Sequence, residues 1–578
     1  MKSFTKILLF VTLLLTITGI KVFAQEAGDT LYVSAYPEGT LNTVINGDTL
    51  ANGERAHKVY VLQQNGPIDT TYYITEDIRV KNLTLVGKNN PVTGFPPLIS
   101  VAILSDNTSP GQIAVAIDKG FVHFKNLYLL GKRADGTQIT GQALTASDSS
   151  RLIVENCIFE NFGSSSTPNV LNTWDATGVD IFVYNSEFRN CQSNIPQNPG
   201  MNWAGPGEIP VDTIIVKNST FFVFGGALTG SGSSIGYLES DHNTFFMQTK
   251  TSPFCMRQMH NAKITNNIFF SCYSTGLDST TINNSQGWNA NIFSPPAILT
   301  MDSLYSDMEG DPFYITEADR NVVATNNAYF WPQKIMDNID EMNSDPSTYW
   351  TIGGKISKPV WAAARIGAEA ILEMPNIDIS ADKNFNVDPG FDAGLVEAAV
   401  DSMARFVKVL WSNNNDGGGS KNFVYANTTN YGIYSDIDPD WKSKQGYPVK
   451  ENLRYTNSAL MTAGTDGKPL GDLNWFPEYP TGVKEISNTV PSKFSLEQNY
   501  PNPFNPTTMI KYSITNGAQV TLKVYNLLGQ EVAALVNQEQ MPGTYEVDFN
   551  ASKLASGMYI YRLQAGNMSL TKKMLLLK

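Results

Sequence analysis

The chain has 578 residues, a formal net charge of −13 and four cysteines. Nucleic acid is excluded as a partner, because its backbone requires a basic surface. Cys157, Cys191, Cys255 and Cys272 lack any CxxC spacing, which argues against a zinc site, and they are too few to form the framework of so long a chain.

Lys2 and Lys6 precede the uncharged run from Ile7 to Ile20, and Val22, Phe23 and Ala24 follow. A basic start, a short apolar stretch and small residues predict a secretory signal over residues 1–24, cleaved after Ala24. The run is too short to favour a spanning helix, and no membrane-crossing segment is expected after cleavage. Loss of Lys2, Lys6 and Lys21 takes the charge to −16, which favours solubility and divalent cations. An oxidising compartment is implied, where disulfides are permitted.

A repeat follows. Asn126-Leu-Tyr-Leu, Asn156-Cys-Ile-Phe, Asn185-Ser-Glu-Phe, Asn218-Ser-Thr-Phe, Asn243-Thr-Phe-Phe, Asn267-Ile-Phe-Phe and Asn327-Ala-Tyr-Phe align, with Asn82-Leu-Thr-Leu as an earlier member. Successive separations are 44, 30, 29, 33, 25, 24 and 60 residues. A period of this size with strand composition predicts a solenoid. Three residues after each asparagine stands Leu85, Leu129, Phe159, Phe188, Phe221, Phe246, Phe270 or Phe330, and stacked coils would pile these into an internal column. The asparagine falls between two short strands. Its tolerance of left-handed backbone suits a corner repeated in every coil, and a column of such residues would hydrogen-bond along the stack. Helical runs are not expected before about Pro359.

The repeat resembles the right-handed parallel β-helix of pectate-lyase-like proteins. The resemblance implies an all-β chain with that solenoid over residues 25–351, and it concerns the fold.

Beyond the repeat, Val360–Met374 reads as a helix. A second is predicted from Leu395, Ala399, Met403, Phe406 and Leu410, with Asp392 as its cap. A solenoid needs an end cap, so residues 352–480 read as a mixed, helix-containing C-terminal cap with late loops. Ser412–Ser420 reads as a flexible loop, and residues 481–493 as a polar linker.

Residues 494–578 alternate with period two: Ile510, Tyr512, Ile514; Val520, Leu522, Val524; Tyr545, Val547, Phe549; Tyr559, Tyr561, Leu563; Met574, Leu576. Between Gly, Asn and Pro turns, this is the pattern of a small antiparallel sandwich. Pro501, Pro503 and Pro506 cannot donate ladder hydrogen bonds and should lie along an edge. Tyr500-Pro501-Asn502-Pro503, Gly529, Gly557-Met558-Tyr559 and the basic strand from Lys572 occur in order. The segment closely resembles the type A C-terminal sorting domain of type IX secretion cargo. That resemblance implies an immunoglobulin-like sandwich, export across a Gram-negative outer membrane, and recognition by the type IX translocon with its sorting protease and attachment machinery. The protein would be extracellular or attached to the outer-membrane surface.

What the delivered surface does is read from its residues. The strands preceding each corner present Trp174, Asp175, Trp203 and Arg257. Sugars stack on aromatic rings, so Trp174, Asp175 and Trp203 are candidates for binding polysaccharide, and both tryptophans also fit a packing role under loops. Asp241, with Arg257, His260 and Lys263 one coil on, is the candidate catalytic group. A polysaccharide lyase needs a base beside a uronate carboxylate and a cation to stabilise the resulting charge. A hydrolase needs paired carboxylates. The RxPxxR segment of pectate lyases is absent, as is the ordered NxD, DD, HG and RxK set of polygalacturonase-like hydrolases. No GxSxG occurs either. Asp436, Asp438 and Asp440 alternate as calcium ligands can, but Tyr447 replaces the closing glutamate of an EF-hand. Calcium is the one cofactor this spacing suggests. A binding or adhesive β-helix and a lyase or hydrolase of the same fold both remain open.

Overall fold

The computed structural model describes residues 24–578 except 28, 51–54, 64–70, 105–109, 134–138, 140–141, 163–169, 174–175, 192–200, 205–206, 226–227, 229–232, 249–251, 257–258, 273–275, 278–296, 302–315, 345–355, 365–368, 411–450, 480–482, 488–490, 492, 516–517, 541–542, 553 and 578. The signal and its cleavage point, the 412–420 loop and the 436–440 aspartates therefore lie outside the described residues, Ala24 itself excepted. Two compact units are present, residues 1–476 and 477–578.

The first unit is a parallel β-helix. Its longest sheet runs through Thr30–Val33, Val59–Leu62, Ile78–Gly87, Gln112–Lys125, Arg151–Glu155, Val179–Tyr184, Gly207–Lys217, Ser233–Asp241, Met259–Thr265, Asn321–Thr325 and Ile377–Asp378. A ten-stranded sheet follows it around each corner, from Thr71–Ile74 to Phe385–Asn386. Strands on the preceding side, Gln142–Ala146, Leu171–Thr173 and Asn202–Ala204, pair in parallel, as do Phe254–Met256, Ala297–Met301 and Val360–Ala364. These three faces are called the leading, long and trailing sheets in chain order around a coil.

The predicted aromatic column exists, with a corrected register. Phe159, Phe188, Phe221, Phe245 and Phe269 stack inside the trailing sheet at centroid separations of 4.9, 5.0, 4.6 and 4.9 Å. Phe245 and Phe269 replace the expected Phe246 and Phe270, which form a second, outward column with Phe222 and Phe330. The left-handed corners fall at Asn126, Asn156, Asn185, Asn218, His242, Asn266 and Asn326. In the last three coils the corner thus precedes the expected asparagine by one residue. A slip of one residue turns a side chain to the other face, and Asn243, Asn267 and Asn327 accordingly point inward, fully buried. Asn82 is no corner: it pairs with Phe121 inside the long sheet.

The inward asparagines form the hydrogen-bonded column. The amides of Ser219, Asn243, Asn267 and Asn327 donate to Oδ1 of Asn243, Asn267, Asn327 and Asn384 at 2.9, 2.9, 3.0 and 2.9 Å. Each Nδ2 donates back to a strand carbonyl, Val216, Ser240, Ile264 or Ala324. Cys157 and Ser186 continue the column through Oγ of Ser186 and Ser219. A fully satisfied polar network in a low-dielectric interior fixes the register of every coil it crosses. Among the described residues Cys157, Cys191 and Cys272 are free thiols in this core, and burial pushes each up to about 12.

Helices depart from expectation in two places. Among the described residues two precede Pro359: α1 (Thr40–Gly47), which buries Leu41, Val44 and Ile45 against the first coils, and α2 (Gln333–Ser344). Among its described residues Val360–Met374 forms no α-helix. Val360–Ala364 extends the leading sheet beside Ala297–Met301, and Glu369–Glu373 makes a 3-10 turn. Trp361 explains the difference, stacking on Tyr329, meeting Phe269 edge-on and donating to the Ile379 carbonyl. Closing the core outweighs the helix propensity of the alanines. The second predicted helix, α3 (Ala393–Leu410), forms with Asp392 Oδ1 accepting from the Leu395 amide at 3.1 Å and with Ala399 and Met403 buried.

The second unit packs two antiparallel four-stranded sheets. One is ordered Val483–Ser487, Gly543–Asn550, Thr507–Ile514, Ser495–Leu496; the other Glu531–Gln540, Ala518–Tyr525, Gly557–Ala565, Met568–Leu576. The alternating residues read from the sequence are its core. The sandwich recruits Val483–Ser487 from the stretch read as linker.

Candidate functional site

Polar and aromatic residues on the leading sheet are placed by register alone. Val115 pairs with Thr145, Thr145 with Asn172, and Asn172 with Trp203, while Arg79 lies beside Val115 one coil earlier. Leu171 and Thr173 are fully buried and Asn172 between them is half-exposed. Strand alternation therefore puts Thr145 and Asn172 on the outward side, and Trp203 is the register partner of Asn172 on the next strand. Trp174 and Asp175, one and two residues past Thr173, lie outside the described residues, as does Arg257.

The candidate catalytic residues sit on the next sheet around the coil. Asp241 ends one strand, and its Oδ1 accepts from Thr265 Oγ1 at 3.0 Å and Asn266 Nδ2 at 2.7 Å. Lys263 lies opposite Glu239 rather than Asp241. Its Nζ is 3.5 Å from Glu239 Oε1, which Lys217 approaches at 3.1 Å. His260 is buried in the same strand as the exposed Lys263. Burial and the neighbouring Glu239 push the Tyr237 phenol up to about 12. Farther along this face, burial works to raise the Glu155 carboxyl, but Lys125 at 3.0 Å and the adjoining His123 outweigh it and hold it at about 2. Among the described residues no three His, Cys, Asp or Glu side chains are grouped to hold a metal ion.

A third feature was not legible from the repeat. Residues 451–476 run back along the outside of the trailing sheet and cover it. The Gly471 amide donates to the Asn266 carbonyl, Trp475 Nε1 and Asp472 meet Thr220 Oγ1 at 2.9 and 2.7 Å, and Asn474 Nδ2 donates to Asn218. Phe391 meets Phe246 and Phe270 edge-on. Beneath this strap Arg189, fully buried, donates to Glu451 at 2.5 and 2.9 Å and to Glu160 at 3.4 Å, and Tyr128 also donates to Glu160. Burial, then the facing Glu451, raises the Glu187 carboxyl to about 8, and burial raises Asp472 to about 6. The signal in the sequence was the charge itself: Glu160 and Arg189 occupy the register where later coils carry Phe222, Phe246 and Phe270.

The sorting-motif residues occupy turns and edges of the sandwich. Tyr500 bridges Met509 and is 76 % exposed, with Pro501, Asn502 and Pro503 exposed beside it. Asn502 Oδ1 accepts from the Leu575 amide at 2.9 Å. Gly529 takes φ of 79° in the hairpin after Asn526, a conformation that favours glycine. Gly557 opens the strand on which Tyr559 is buried and donates to the Ala555 carbonyl, and Lys572 lies opposite Tyr561 on the last strand. Residues 498–577 match the secretion system C-terminal sorting domain. The C-terminal unit is that sorting domain. The protein is therefore type IX secretion cargo, carried out of the cell and there secreted or attached to the surface. No curated protein and no solved structure matches the chain. Among the described residues no helix is long and apolar enough to cross a membrane.

Proposed function

We propose that the exported β-helix engages extracellular polysaccharide as a binding or adhesive protein. The observation that carries this reading is the row on the leading sheet, where register aligns Arg79, Val115, Thr145, Asn172 and Trp203 across successive coils, with Arg79, Thr145 and Asn172 reaching the surface and Val115 buried. Rungs of a parallel sheet repeat near 5 Å, so such a row offers a linear polymer hydrogen-bonding positions at Thr145 and Asn172, with Arg79 beyond Val115 on one side and the register position of Trp203 on the other. Trp174 and Asp175, which follow the same strand, belong to this proposed surface. Calcium would act there only as a bridge between an acidic glycan and an acidic protein.

The test is incubation of the mature protein with acidic and neutral glycans, with and without calcium. Retention on one glycan class, lost in Trp203→Ala and without product, is the expected result. An ultraviolet-absorbing unsaturated product, lost in Asp241→Asn or Lys263→Ala, would replace binding by the lyase reading, with Asp241, Arg257, His260 and Lys263 as its residues. No retention on any glycan and no product would remove both. Cleavage near residues 481–493 by the sorting protease is part of the same proposal. A surface form with an intact C-terminus would contradict it.

A further inference from the structure

The two faces of the sorting sandwich have opposite character. On the sheet containing Thr507–Ile514 and Gly543–Asn550, the outward residues include Lys511, Glu546 and Asp548. Lys511 and Glu546 lie opposite each other in register, so this face is polar and acidic on balance.

On the other sheet, Leu522, Val524, Tyr561 and Leu563 point inward, fully buried. Alternation turns Lys523, Tyr525, Ile560 and Arg562 outward, and Lys573 lies opposite Ile560. Arg562 lies over the Tyr525 ring at 4.9 Å, and Lys523 pairs with Glu531 at 2.9 Å. At the end of the sheet nearest Tyr525, Met558 is 44 % exposed, and the hairpin that follows carries Leu527 at 67 % and Leu528 at 84 %.

Folding does not require those leucines. Asn526 Oδ1 accepts from the amides of Leu528 and Gln530, and the Gly529 amide donates to the Asn526 carbonyl, so backbone and Asn526 alone satisfy the turn. Single exposed leucines are ordinary. Two at one hairpin tip, beside Met558 and a row of cations, form a patch of the kind that marks an interaction surface.

We infer that this face, with Leu527, Leu528 and Met558 as its apolar end and Lys523, Arg562 and Lys573 as its basic strip, is the surface by which the export machinery reads the domain. The partner is a protein component of that machinery presenting an apolar pocket flanked by carboxylates. Charge complementarity excludes a basic partner, and the apolar anchors carry most of the binding, as buried anchors in polar-rimmed interfaces do.

The experiment expresses the full chain in a Gram-negative host with an active type IX system and compares protein outside the cell with protein retained in the periplasm. Leu527→Ser with Leu528→Ser should lower the exported fraction at least about tenfold, the change expected from loss of even one of the two anchoring side chains. Lys573→Glu with Arg562→Glu should lower it as well, by a smaller factor. Glu546→Lys with Asp548→Lys, on the opposite face, should leave export unchanged. Thermal unfolding of each purified variant separates recognition from folding, and Leu528→Gln alone, at the most exposed position, serves if the double variant is unstable. Normal export of folded Leu527 and Leu528 variants would overturn the assignment. Two other outcomes would also overturn it: a dimer of the purified chain dispersed by the same substitutions, or its flotation with anionic lipid vesicles abolished by them.

Discussion

The β-helix and the sorting sandwich bury aromatic cores of similar chemistry, yet they hold register by different means. In one sheet of the sandwich, hairpins join strands that are neighbours in sequence, so Leu522 meets Val536 and Tyr559 meets Met574 through short connections. In the β-helix every rung lies against residues one coil away, and register is held by the stacked phenylalanines and the buried asparagine column. Local pairing tolerates a change on one strand; a stacked column transmits it to the coils on both sides.

That contrast is broken most severely inside the stack. Phe221→Ala should destabilise the first unit by about 3–5 kcal/mol, read as a lower calorimetric transition with the sandwich transition unmoved. Arg189→Met, which strands Glu160 and Glu451 beneath the strap, should cost about 3–5 kcal/mol and expose residues 451–476 to protease. Asn267→Ala leaves the Asn243 amide without its acceptor and should cost about 1–3 kcal/mol, with hydrogen exchange rising in both flanking coils.

The strap also makes the first unit sensitive to pH. Glu187 and Asp472 titrate near 8 and 6 in the fold, above ordinary carboxylates. The fold therefore binds more protons than the open chain, and this contribution is fully present below about pH 4 and lost as pH rises through 6 and then 8. Denaturant midpoints measured across that window should fall with rising pH, and Glu187→Gln should flatten the upper part of the slope. The smallest effect belongs to the sandwich surface: Leu528→Ser should change stability by no more than about 0.5 kcal/mol, whatever it does to export.

Legibility followed the same division. The sandwich core was readable strand by strand, because period-two alternation depends on nothing beyond the strand itself. The solenoid and its aromatic column were readable from the repeat, while the corner in the last three coils was not. Asn266-Asn267 and Asn326-Asn327 offer two asparagines for one corner, and at His242-Asn243 the left-handed position is held by a histidine. Stacking on Phe221 decides among them, since only one register places Phe245 and Phe269 in line. The strap was hidden because its partners, Arg189 and Glu451, stand 262 residues apart.

By itself, the sequence determined the export address, the solenoid and the alternating sandwich core, since each rests on motifs or periods written within a few tens of residues. The tertiary structure decided which asparagines turn inward, that Val360–Ala364 is a strand, and that charged residues of the trailing sheet lie buried under the strap. Those outcomes depend on what each residue meets one coil, or half a chain, away.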